Sequence, residues 1–335
     1  MRQITIAAPG GLDRLRLSDA ADPGAPGRGE IRVRIKANSL NYHDYLVVSR
    51  EGNAPDGRIP MSDGAGTVEA VGDGVTEFAP GDSVVSCFFP RWQDGDDRPS
   101  DFEAVPGDGI DGYARETVVL PADWFTLAPR GWSHEEAATI TTAGLTAWRA
   151  LVVDGRLKAG DVVAVLGTGG VSVYALQIAR AMGARVIATS SSDEKLERLR
   201  SLGAEHVINY RKTPEWGQEM RRLTGGRGVD HVVEVGGAAT LPQSIIAGRA
   251  GAHLALIGVL TGMGGEVPTA LLMARQQRLQ GLIVGSRRHQ RDFVAALDAT
   301  GLRPVIDRSF DLADLAAAFR HQESGGHFGK ICVTV

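Results

Sequence analysis

Cysteine is nearly absent from this sequence of 335 residues, which contains only Cys87 and Cys332. The two lie far apart, each in an apolar stretch that is typical of a strand. A structural zinc site of the four-cysteine kind is therefore excluded, because no close pair of cysteines exists to hold it. We expect each thiol to be a small buried side chain in a protein of the reducing cytoplasm.

Long hydrophobic runs and long basic runs are also missing. No segment has the run of apolar residues that a membrane span requires, and residues 1–6 lack the apolar core of a signal peptide. The net charge is −4 at pH 7, and without a basic tract the composition argues against nucleic acid as the main partner. We therefore expect a cytoplasmic protein, independent of membranes, that acts on a small molecule.

The most informative stretch runs from residue 160 to residue 195. The apolar run Val162–Leu166 predicts a buried strand. A glycine-rich turn follows it, and apolar residues at helical spacing continue as far as Gly183, where a helix would stop. Residues 185–189 then predict a second buried strand. These elements form one β-α-β unit with the glycines at the first strand-to-helix turn.

Glycine at that turn has a direct physical use. A diphosphate contacts backbone N–H groups at a helix N-terminus only where no Cβ intervenes, and the helix dipole favours its charge. The turn reads Gly167-Thr168-Gly169-Gly170-Val171-Ser172, with a small serine in place of the third glycine. Because it follows a strand and opens a helix, we predict that these six residues bind the pyrophosphate of a dinucleotide rather than forming a merely structural turn.

The end of the second strand indicates which dinucleotide. An NAD site has an Asp or Glu there to hold the ribose hydroxyls, whereas this chain has Ser190 and Ser191, followed by Lys195. Hydroxyls and an ammonium group suit a 2′-phosphate, and Tyr210 after the third strand could close the adenosine side. We therefore predict NADPH (NADP) rather than NADH as the cofactor. Alternatively, residues 190–193 merely cap the helix that follows, and Asp193 is expected to do so in either case.

The length of the chain predicts two domains. Residues 1–128 contain short alternating strands between Gly and Pro turns, which indicates a barrel-like domain. Residues 129–287 begin with a capping box at 133–136 and alternate strand and helix patterns, which indicates an α/β domain with a doubly wound parallel sheet. Residues 288–335 are expected to close back onto the first domain.

Three elements and one loop are predicted more narrowly. The elements are a helix over 145–153, a strand over 279–284 and a helix over 311–322. The segment 89–112 is a long acidic loop, and loops of that length are lids, binding loops or simply mobile. Together with the aromatic stretch 88–92 it is expected to shape a substrate pocket.

Several ordered motifs together resemble the medium-chain dehydrogenase/reductase superfamily over essentially the whole chain. They lie at residues 38–44 (NSLNYHD), 63–68 (DGAGTV), 80–84 (PGDSV), 143–148 (AGLTAW), 167–172, 233–237 and 327–330. The resemblance implies an α/β protein with a GroES-like β-barrel catalytic domain and a doubly wound Rossmann domain, and an active site in the cleft between them.

The chain departs from the zinc-dependent alcohol dehydrogenases of this superfamily at the metal site. Their catalytic zinc is held by Cys, His and Cys, and the matching positions here are Asn41, Ser62 and Thr142. An amide and two hydroxyls cannot hold Zn²⁺ as thiolates and imidazole do, and the 89–112 loop replaces the four-cysteine lobe. The resemblance is therefore to the zinc-independent, quinone oxidoreductase-like branch, and no metal is expected.

The resemblance also implies a candidate catalytic set. Asn41 should lie near the nicotinamide ribose and the substrate oxygen, and Thr146 should approach the carboxamide. His43 takes the place of a hydroxyl residue that relays protons in the zinc enzymes, so it is a candidate general acid. Alternatively, it only binds the ribose or packs in the cleft. Tyr42, which could equally be cleft wall, and Asp44 flank it.

Further residues should complete the cofactor site by the same resemblance. They are Val235, Ile257, Gly258, Gly285, Ser286, Arg287, Phe328 and Lys330. Arg287 and Lys330 could equally be solvated surface charges. Relatives commonly pair the edges of their Rossmann sheets, so a homodimer through the 279–284 region is expected.

Without a Lewis acid, hydride transfer must be driven by positioning and by hydrogen bonds, which suits substrates that are already activated. We predict an NADPH-dependent oxidoreductase that transfers hydride to a quinone or an α,β-unsaturated carbonyl. Two alternatives remain open. One is a zinc-free alcohol or aldehyde dehydrogenase, and the other is a non-catalytic NADPH-binding protein like the lens crystallins related to this family.

Overall fold

The computed structural model describes residues 1–95, 98–99 and 102–335, so part of the predicted acidic loop lies outside the described residues. The chain divides into two compact units. The first comprises Met1–Leu145 and Val284–Val335, and the second comprises Thr146–Ile283. The second unit is one continuous segment, after which the chain returns to the first. Within the described ranges, none of the helices combines the length and apolar character needed to cross a membrane.

The strands are short in both units. In chain order they are β1 (Arg2–Ile6), β2 (Leu15–Asp19), β3 (Glu30–Ser39), β4 (Gly64–Val71), β5 (Ser83–Ser86), β6 (Thr117–Pro121), β7 (Phe125–Leu127), β8 (Val162–Leu166), β9 (Arg185–Ser190), β10 (His206–Asn209), β11 (Val229–Glu234), β12 (Gly248–Leu256), β13 (Arg278–Gly281), β14 (Ile306–Asp311) and β15 (Lys330–Thr334).

The helices are concentrated in the second unit and near the carboxyl end. They are α1 (Tyr42–Ser49), α2 (His134–Ala138), α3 (Leu145–Trp148), α4 (Gly170–Ala181), α5 (Asp193–Ser201), α6 (Trp216–Leu223), α7 (Leu241–Ala247), α8 (Thr269–Ala274), α9 (Arg287–Thr300) and α10 (Leu315–Glu323). Wider π-type turns at Ile140–Gly144 and Arg149–Val153 flank α3, so the helix predicted over 145–153 is regular only in its first turn.

The first unit is built on a sheet in the order β14-β15-β3-β4-β5-β7, with β6 also paired to β3. Strand β3 carries the alternation seen in the sequence, because Ile31, Val33 and Ile35 are fully buried between less buried charged residues. Strand β15 runs antiparallel to β3, and β14 runs parallel to β15. The last residues of the chain therefore complete the sheet of the first unit, as predicted.

The second unit contains a parallel sheet in the order β10-β9-β8-β11-β12-β13. This order reverses direction between β8 and β11, which is the doubly wound arrangement with its ligand crevice at the carboxyl ends of the strands. All five residues of β8 are buried, as its apolar sequence predicts. The predicted doubly wound parallel sheet is confirmed.

Three boundaries differ from those predicted. Helix α2 packs on β3, β4 and β5, so the chain passes to the second unit at residue 146 rather than at 129. Strand β14 occupies residues 306–311, so the helix that was predicted to begin at residue 311 begins at Leu315 instead. The strand predicted over 279–284 ends at Gly281, because its neighbour β12 ends opposite it at Leu256.

Candidate functional site

The glycine-rich turn lies at the carboxyl end of β8, in the second unit. Gly167 has a φ of 74°, a conformation that L side chains rarely adopt. Gly169 precedes α4, and a Cβ built on either glycine would meet no atom within 4 Å. Gly169 is the N-cap residue and has no side chain to bond the first N–H groups of this helix. Thr168 and Val171 complete the predicted turn.

The serine in place of the third glycine has a structural function. Ser172 is buried, and its hydroxyl donates a hydrogen bond of 2.6 Å to the carbonyl oxygen of Leu166, the last residue of β8. The bond ties the first turn of α4 to the strand before it. The residues of this turn fit a dinucleotide pyrophosphate.

The residues predicted to select the dinucleotide come together at the ends of β9 and β10. Ser190 ends β9, and the backbone N–H of Tyr210, which follows β10, donates to the Ser190 carbonyl oxygen at 3.1 Å. Tyr210 is 41% exposed, and Ser191 and Lys195 are partly buried beside the same turn. Two serines, an ammonium group and an exposed phenol thus lie at one edge of the second unit.

The predicted helix cap at Asp193 is wrong by one residue. The hydroxyl of Ser192 accepts the hydrogen bond from the Lys195 N–H at 3.3 Å, so Ser192 is the N-cap of α5 and Asp193 is its first helical residue. The Asp193 carboxylate instead accepts bonds from Lys212 at 2.6 Å and Asn209 at 2.8 Å. These bonds lower the pKa of Asp193, and the Lys212 ammonium offsets its charge.

A buried carboxylate, which the sequence did not single out, shapes the next turn. Glu234 ends β11 and accepts hydrogen bonds from the backbone N–H groups of Gly236 at 2.8 Å and Gly237 at 3.0 Å. The hydroxyls of Thr240 and Ser244 also donate to it. In the sequence, Glu234 only interrupts an apolar run. The pattern that could have predicted its buried position is the two glycines and two hydroxyl residues that follow it within ten positions and that donate to it.

The turn after β11 brings three predicted cofactor residues together. Ile257 and Gly258 donate their backbone N–H groups to the Glu234 carbonyl oxygen at 2.8 and 3.2 Å. A Cβ on Gly258 would lie 2.0 Å from the carbonyl oxygen of Val235, so only glycine allows this close approach. Thr146, predicted to approach the carboxamide, is also in the second unit and is buried.

In the first unit, Asn41 and Asp44 form a closed hydrogen-bonded group at the start of α1. Asp44 Oδ2 accepts from the Asn41 backbone N–H at 3.0 Å and from Asn41 Nδ2 at 3.1 Å, and Asp44 Oδ1 accepts from the Ser62 N–H at 2.8 Å. Lys330 Nζ donates to Asn41 Oδ1 at 2.6 Å and to the Leu40 carbonyl oxygen. The polar atoms of Asn41 are thus bonded within the protein.

A second buried carboxylate, Asp63, lies beside this group. The Thr142 hydroxyl donates to Asp63 Oδ1 at 2.6 Å, and the Ser62 hydroxyl donates more weakly at 3.4 Å. Burial raises the pKa of Asp63 to about 7, although the positive charge of Lys330 opposes the shift. Burial likewise lowers the pKa of the Lys330 ammonium, against the pull of Asp63.

These contacts decide whether the region suits a metal. Asn41, Ser62 and Thr142, which match the zinc-ligand positions of the zinc-dependent relatives, each donate to a carboxylate. An ammonium group also bonds Asn41 Oδ1. Within the part of the chain that the structure describes, no group of three or more His, Cys, Asp or Glu residues is placed to hold a metal. Such a donor set does not fit Zn²⁺, which is bound by thiolate, imidazole and carboxylate.

The alternative that Lys330 and Arg287 are solvated is wrong, because both are buried. The Arg287 guanidinium donates to the Phe125 carbonyl oxygen at 2.8 Å and forms an ion pair of 2.6 Å with Glu77. These groups lie in the first unit, in strand β7 and before β5. Arg287 therefore connects α9 to the barrel sheet.

The neighbours of Arg287 and Lys330 also have structural contacts. Ser286 follows Gly285 and caps α9, where its hydroxyl accepts from the His289 N–H at 3.2 Å. Phe328 is buried, and its N–H donates to Asp307 at 3.1 Å. These residues lie in the first unit, and their contact with a cofactor stays a prediction.

His43 lies in an aromatic cluster of the first unit. Its ring stacks on Phe102 with 5.3 Å between centroids and meets the edge of Phe88 at 5.4 Å. Its Nε2 lies 3.3 Å from Asp108 Oδ2. Burial lowers the pKa of His43, but the carboxylates of Asp108, Asp44 and Asp63 outweigh it, so the net shift is upward.

The rest of the predicted substrate pocket adjoins this cluster. Phe89 contacts both Phe88 and Phe102, and it lines a cavity of about 200 Å³ together with Trp92 and Val105. Tyr42 is 40% exposed and stacks on Tyr45 with 6.0 Å between ring centroids. Aromatic side chains thus lie beside His43 and line this cavity, and its use as a substrate pocket stays a prediction.

Two family models match the chain. Residues 27–130 match the alcohol dehydrogenase GroES-like domain, and residues 170–301 match the zinc-binding dehydrogenase domain. The zinc-type alcohol dehydrogenase-like protein of Schizosaccharomyces pombe is 40% identical over 346 residues, which span 100% of this chain and 99% of that protein. The predicted combination of a GroES-like barrel and a Rossmann domain is confirmed.

Solved structures give the same fold. An alcohol dehydrogenase-like protein from Sinorhizobium meliloti has a TM-score of 0.92 and 42% identity, covering 100% of this chain and 99% of that one. An NAD-dependent alcohol dehydrogenase has a TM-score of 0.89 and 36% identity over 100% of both chains. The crotonyl-CoA carboxylase/reductase AntE, in complex with NADP, has a TM-score of 0.89 and 26% identity over 100% and 94%. This chain therefore belongs to the medium-chain dehydrogenase/reductase superfamily and is an NAD(P)H-dependent oxidoreductase.

Proposed function

We propose that the protein transfers hydride from NADPH to a quinone or an α,β-unsaturated carbonyl without a metal. The observation that carries this proposal is the hydrogen bonding of Asn41, Ser62 and Thr142 to Asp44 and Asp63. Without a Lewis acid, an unactivated carbonyl gains little help at its oxygen. A conjugated acceptor needs less stabilisation from the protein, because it spreads the developing negative charge over its own conjugated atoms.

The solved relatives support two related chemistries. AntE is named as a crotonyl-CoA carboxylase/reductase and binds NADP, which favours reduction of a conjugated acceptor. Another structural relative is named as an NAD-dependent alcohol dehydrogenase, which favours a zinc-free alcohol or aldehyde dehydrogenase as the second candidate.

We further propose that the second unit binds the cofactor and the first unit supplies the catalytic groups. The N–H groups after Gly169 would bind the pyrophosphate, and the turn held by Glu234 would support the nicotinamide end. The nicotinamide ring supplies the hydride when the cofactor is bound. The aromatic side chains around His43, among them Phe88 and Phe102, would exclude water from a flat apolar acceptor.

The preference for NADPH is proposed from the edge of the second unit. Ser190, Ser191 and Tyr210 lie at the ends of β9 and β10, and Lys195 lies in the first turn of α5. The Asp193 carboxylate nearby is paired with Lys212. A 2′-phosphate would meet hydroxyls and an ammonium group there rather than an unpaired carboxylate.

The test of the reaction is a steady-state panel with both reduced cofactors. We expect NADPH oxidation with at least one quinone or enone, a higher kcat/KM with NADPH than with NADH, and no loss of rate after dialysis against a zinc chelator. Alcohol-dependent reduction of NADP without quinone or enone activity would favour the second candidate. Cofactor binding without turnover of any acceptor or alcohol would favour a crystallin-like protein, and stoichiometric zinc in the active protein would contradict the metal-free mechanism.

The test of the cofactor preference is the variant Ser191→Asp, which places a carboxylate beside the proposed 2′-phosphate. We expect NADPH affinity to fall about tenfold, equivalent to roughly 1.4 kcal/mol, while NADH affinity stays the same or rises. Glu194→Asp, an exposed conservative change in the same helical turn, is the control. An equal effect of Ser191→Asp on both cofactors would contradict the assignment.

We also propose a homodimer formed through the edge of the second unit's sheet. Strand β13 is the last strand of that sheet, and among the described residues it pairs only with β12, so in that part of the chain its outer edge has unpaired backbone groups. Ile283, just beyond it, is 49% exposed. Analytical ultracentrifugation should give a dimer for the native protein and a monomer for Ile283→Lys, and a native monomer would contradict the proposal.

A cytoplasmic location is proposed from the two thiols. Cys87 and Cys332 are both free and buried, and burial raises the pKa of each to about 12. Such thiols stay protonated and reduced in the cytoplasm. Fractionation of the source cells should recover the protein with cytoplasmic markers.

A further inference from the structure

Thr142 connects a fully buried carboxyl group to accessible space. Its hydroxyl lies 2.6 Å from Asp63 Oδ1. Asp63 has no exposed surface, whereas Thr142 is only partly buried. The distance is that of a strong bond between oxygen atoms, across which a proton can lie on either side. A group that approaches the Thr142 hydroxyl is therefore one proton transfer away from Asp63.

The surroundings of Asp63 leave its charge incompletely compensated. Its second oxygen, Oδ2, is buried and makes no hydrogen bond of ordinary geometry among the described residues, although the Asn41 side chain is close enough to lower the pKa of Asp63. The nearest positive group is Lys330, whose ammonium is bonded to Leu40 and Asn41. Burial outweighs that charge and raises the pKa of Asp63 to about 7, so the carboxyl group is partly protonated at neutral pH.

Other charged groups near Asp63 do not offer the same route. Asp44 accepts three N–H bonds with its two oxygens, and its negative charge favours the protonated form of Asp63. Tyr113 is fully buried, and burial raises the pKa of its phenol, so this group stays neutral. His43 lies against Asp108 and Phe102. Of the groups compared in this paragraph, Asp63 is therefore the one that can carry a proton at neutral pH and that contacts the partly buried Thr142 hydroxyl.

We propose that Asp63 and Thr142 deliver the proton that completes hydride transfer, with Thr142 as the catalytic residue and Asp63 as the proton store behind it. This inference rests on the proposed function, in which the reduced nicotinamide supplies the hydride and its two electrons. The substrate anion takes the proton of the Thr142 hydroxyl, so that the Thr142 O–H bond breaks and a new bond to hydrogen forms on the substrate. The Asp63 carboxyl then returns a proton to Thr142. After product release, water donates a proton to the Thr142 hydroxyl, which passes its own proton to Asp63 and so restores the protonated carboxyl group.

The kinetic test compares pH profiles of kcat/KM for a reduced acceptor. The relay needs protonated Asp63, so the native rate should be constant at low pH and fall as the pH rises above about 7. Asp63→Asn cannot release a proton, so its pH profile should lose the limb, which is the fall in rate above about pH 7. Thr142→Val should lower kcat by on the order of a hundredfold with little change in KM, whereas Thr142→Ser, which keeps the hydroxyl, should restore most of the rate and the limb.

His43→Ala is the discriminating variant, because His43 is the other candidate proton donor. If the relay is right, this variant keeps the fall in rate above about pH 7 even if its overall rate is lower. Loss of that limb in His43→Ala, or its persistence in Asp63→Asn, would overturn the proposal.

A measurement without turnover separates this inference from the proposed function. Infrared spectra between pH 5 and 9 should contain a protonated-carboxyl band that titrates near neutral pH and is missing in Asp63→Asn. Thr142→Val should move that titration to higher pH, since the lost hydrogen bond favours the ionised form. If no acceptor is reduced, the proposed function fails and these spectra still decide whether the carboxyl group can store a proton. Absence of a titrating band would overturn the relay.

Discussion

Lys330 Nζ donates a hydrogen bond of 2.6 Å to Asn41 Oδ1, and both side chains are closed off from solvent. The two residues are 289 positions apart in the chain, so the contact fastens the last strand of the first unit to the start of its first helix. An ammonium group at this depth is tolerated because the carboxylates of Asp63 and Asp44 lie near it.

Lys330→Met should be strongly destabilising. The variant leaves Asp63 and Asp44 in the interior without a compensating cation, which costs about 3–5 kcal/mol in the free energy of unfolding. The loss should grow as the pH rises above about 7. In the native protein Asp63 ionises near pH 7 beside Lys330. In the variant the pKa of Asp63 rises further, so above pH 7 the folded state keeps a proton that the unfolded chain has released. Stability therefore falls further as the pH rises.

Urea unfolding at several pH values measures this loss. Lys158→Met, at an exposed lysine, is the control and should change stability by less than about 0.5 kcal/mol. A loss for Lys330→Met that is the same at pH 6 and pH 9 would show that the carboxylates do not respond to the ammonium group.

The ion pair of His43 and Asp108 should make stability depend on pH. The pKa of His43 is raised in the folded protein, so the stabilisation is fully present below the unfolded value of about 6.5 and is lost as the pH rises through the folded value. The pair is partly exposed, so the effect should be on the order of 1 kcal/mol or less. Asp108→Asn should flatten this dependence, and NMR titration of His43 should give a lower pKa in the variant. An unchanged titration would assign the upward shift to Asp44 and Asp63 instead.

Gly169→Ala should separate cofactor binding from folding. The glycine has ordinary backbone geometry and room for a methyl group, but it is the N-cap of α4, where alanine is less favourable than glycine. Stability should therefore change by no more than about 1 kcal/mol. The methyl group would occupy the space in which a pyrophosphate approaches the helix, and NADPH affinity should fall at least about tenfold, or roughly 1.4 kcal/mol.

Calorimetric titration with NADPH and thermal unfolding measure the two effects. Gly264→Ala, at another glycine with open space and no positive φ, is the matched control and should leave NADPH affinity unchanged. Equal affinities of the native protein and Gly169→Ala would place the pyrophosphate elsewhere.

Glu234→Gln should weaken the turn that carries Val235. The native carboxylate accepts hydrogen bonds from four donors, and the amide group of glutamine would direct its own N–H groups at some of them. We expect a loss of about 2–4 kcal/mol in unfolding free energy. Glu219→Gln, at a partly exposed residue of α6 that pairs with Arg222, should cost less than about 1 kcal/mol in the same urea titration. Similar losses for the two variants would contradict the structural role of Glu234.

The parts of the protein that could be predicted are those whose signal is local. The turn at 167–172 and its two strands lie within 35 residues, and the spacing of apolar residues and glycines suffices to place them. The alternation in β3 likewise predicts a strand with one buried face. Strand β14 was missed because its sequence, IDRSFD, is mostly polar and its burial is slight.

The parts that could not be predicted depend on partners far away in the chain. Nothing near Lys330 or Arg287 indicates burial, because Asn41 lies 289 residues before the former and Glu77 lies 210 residues before the latter. Asp63 likewise meets Thr142 only after 79 residues. The error at Asp193 is of another kind, since Ser192 and Asp193 both have side chains that cap helices and only the backbone geometry decides between them.

Strands β14 and β15 have a consequence for the order of events on the ribosome. Residues 146–283 emerge as one uninterrupted piece, so the strands of the second unit are made before residues 306–334. The sheet of the first unit needs residues 306–334, which are translated after the second unit. During that interval the edge of β3 that pairs with β15 is uncovered, and nascent chains at this stage are the ones that chaperones would have to protect.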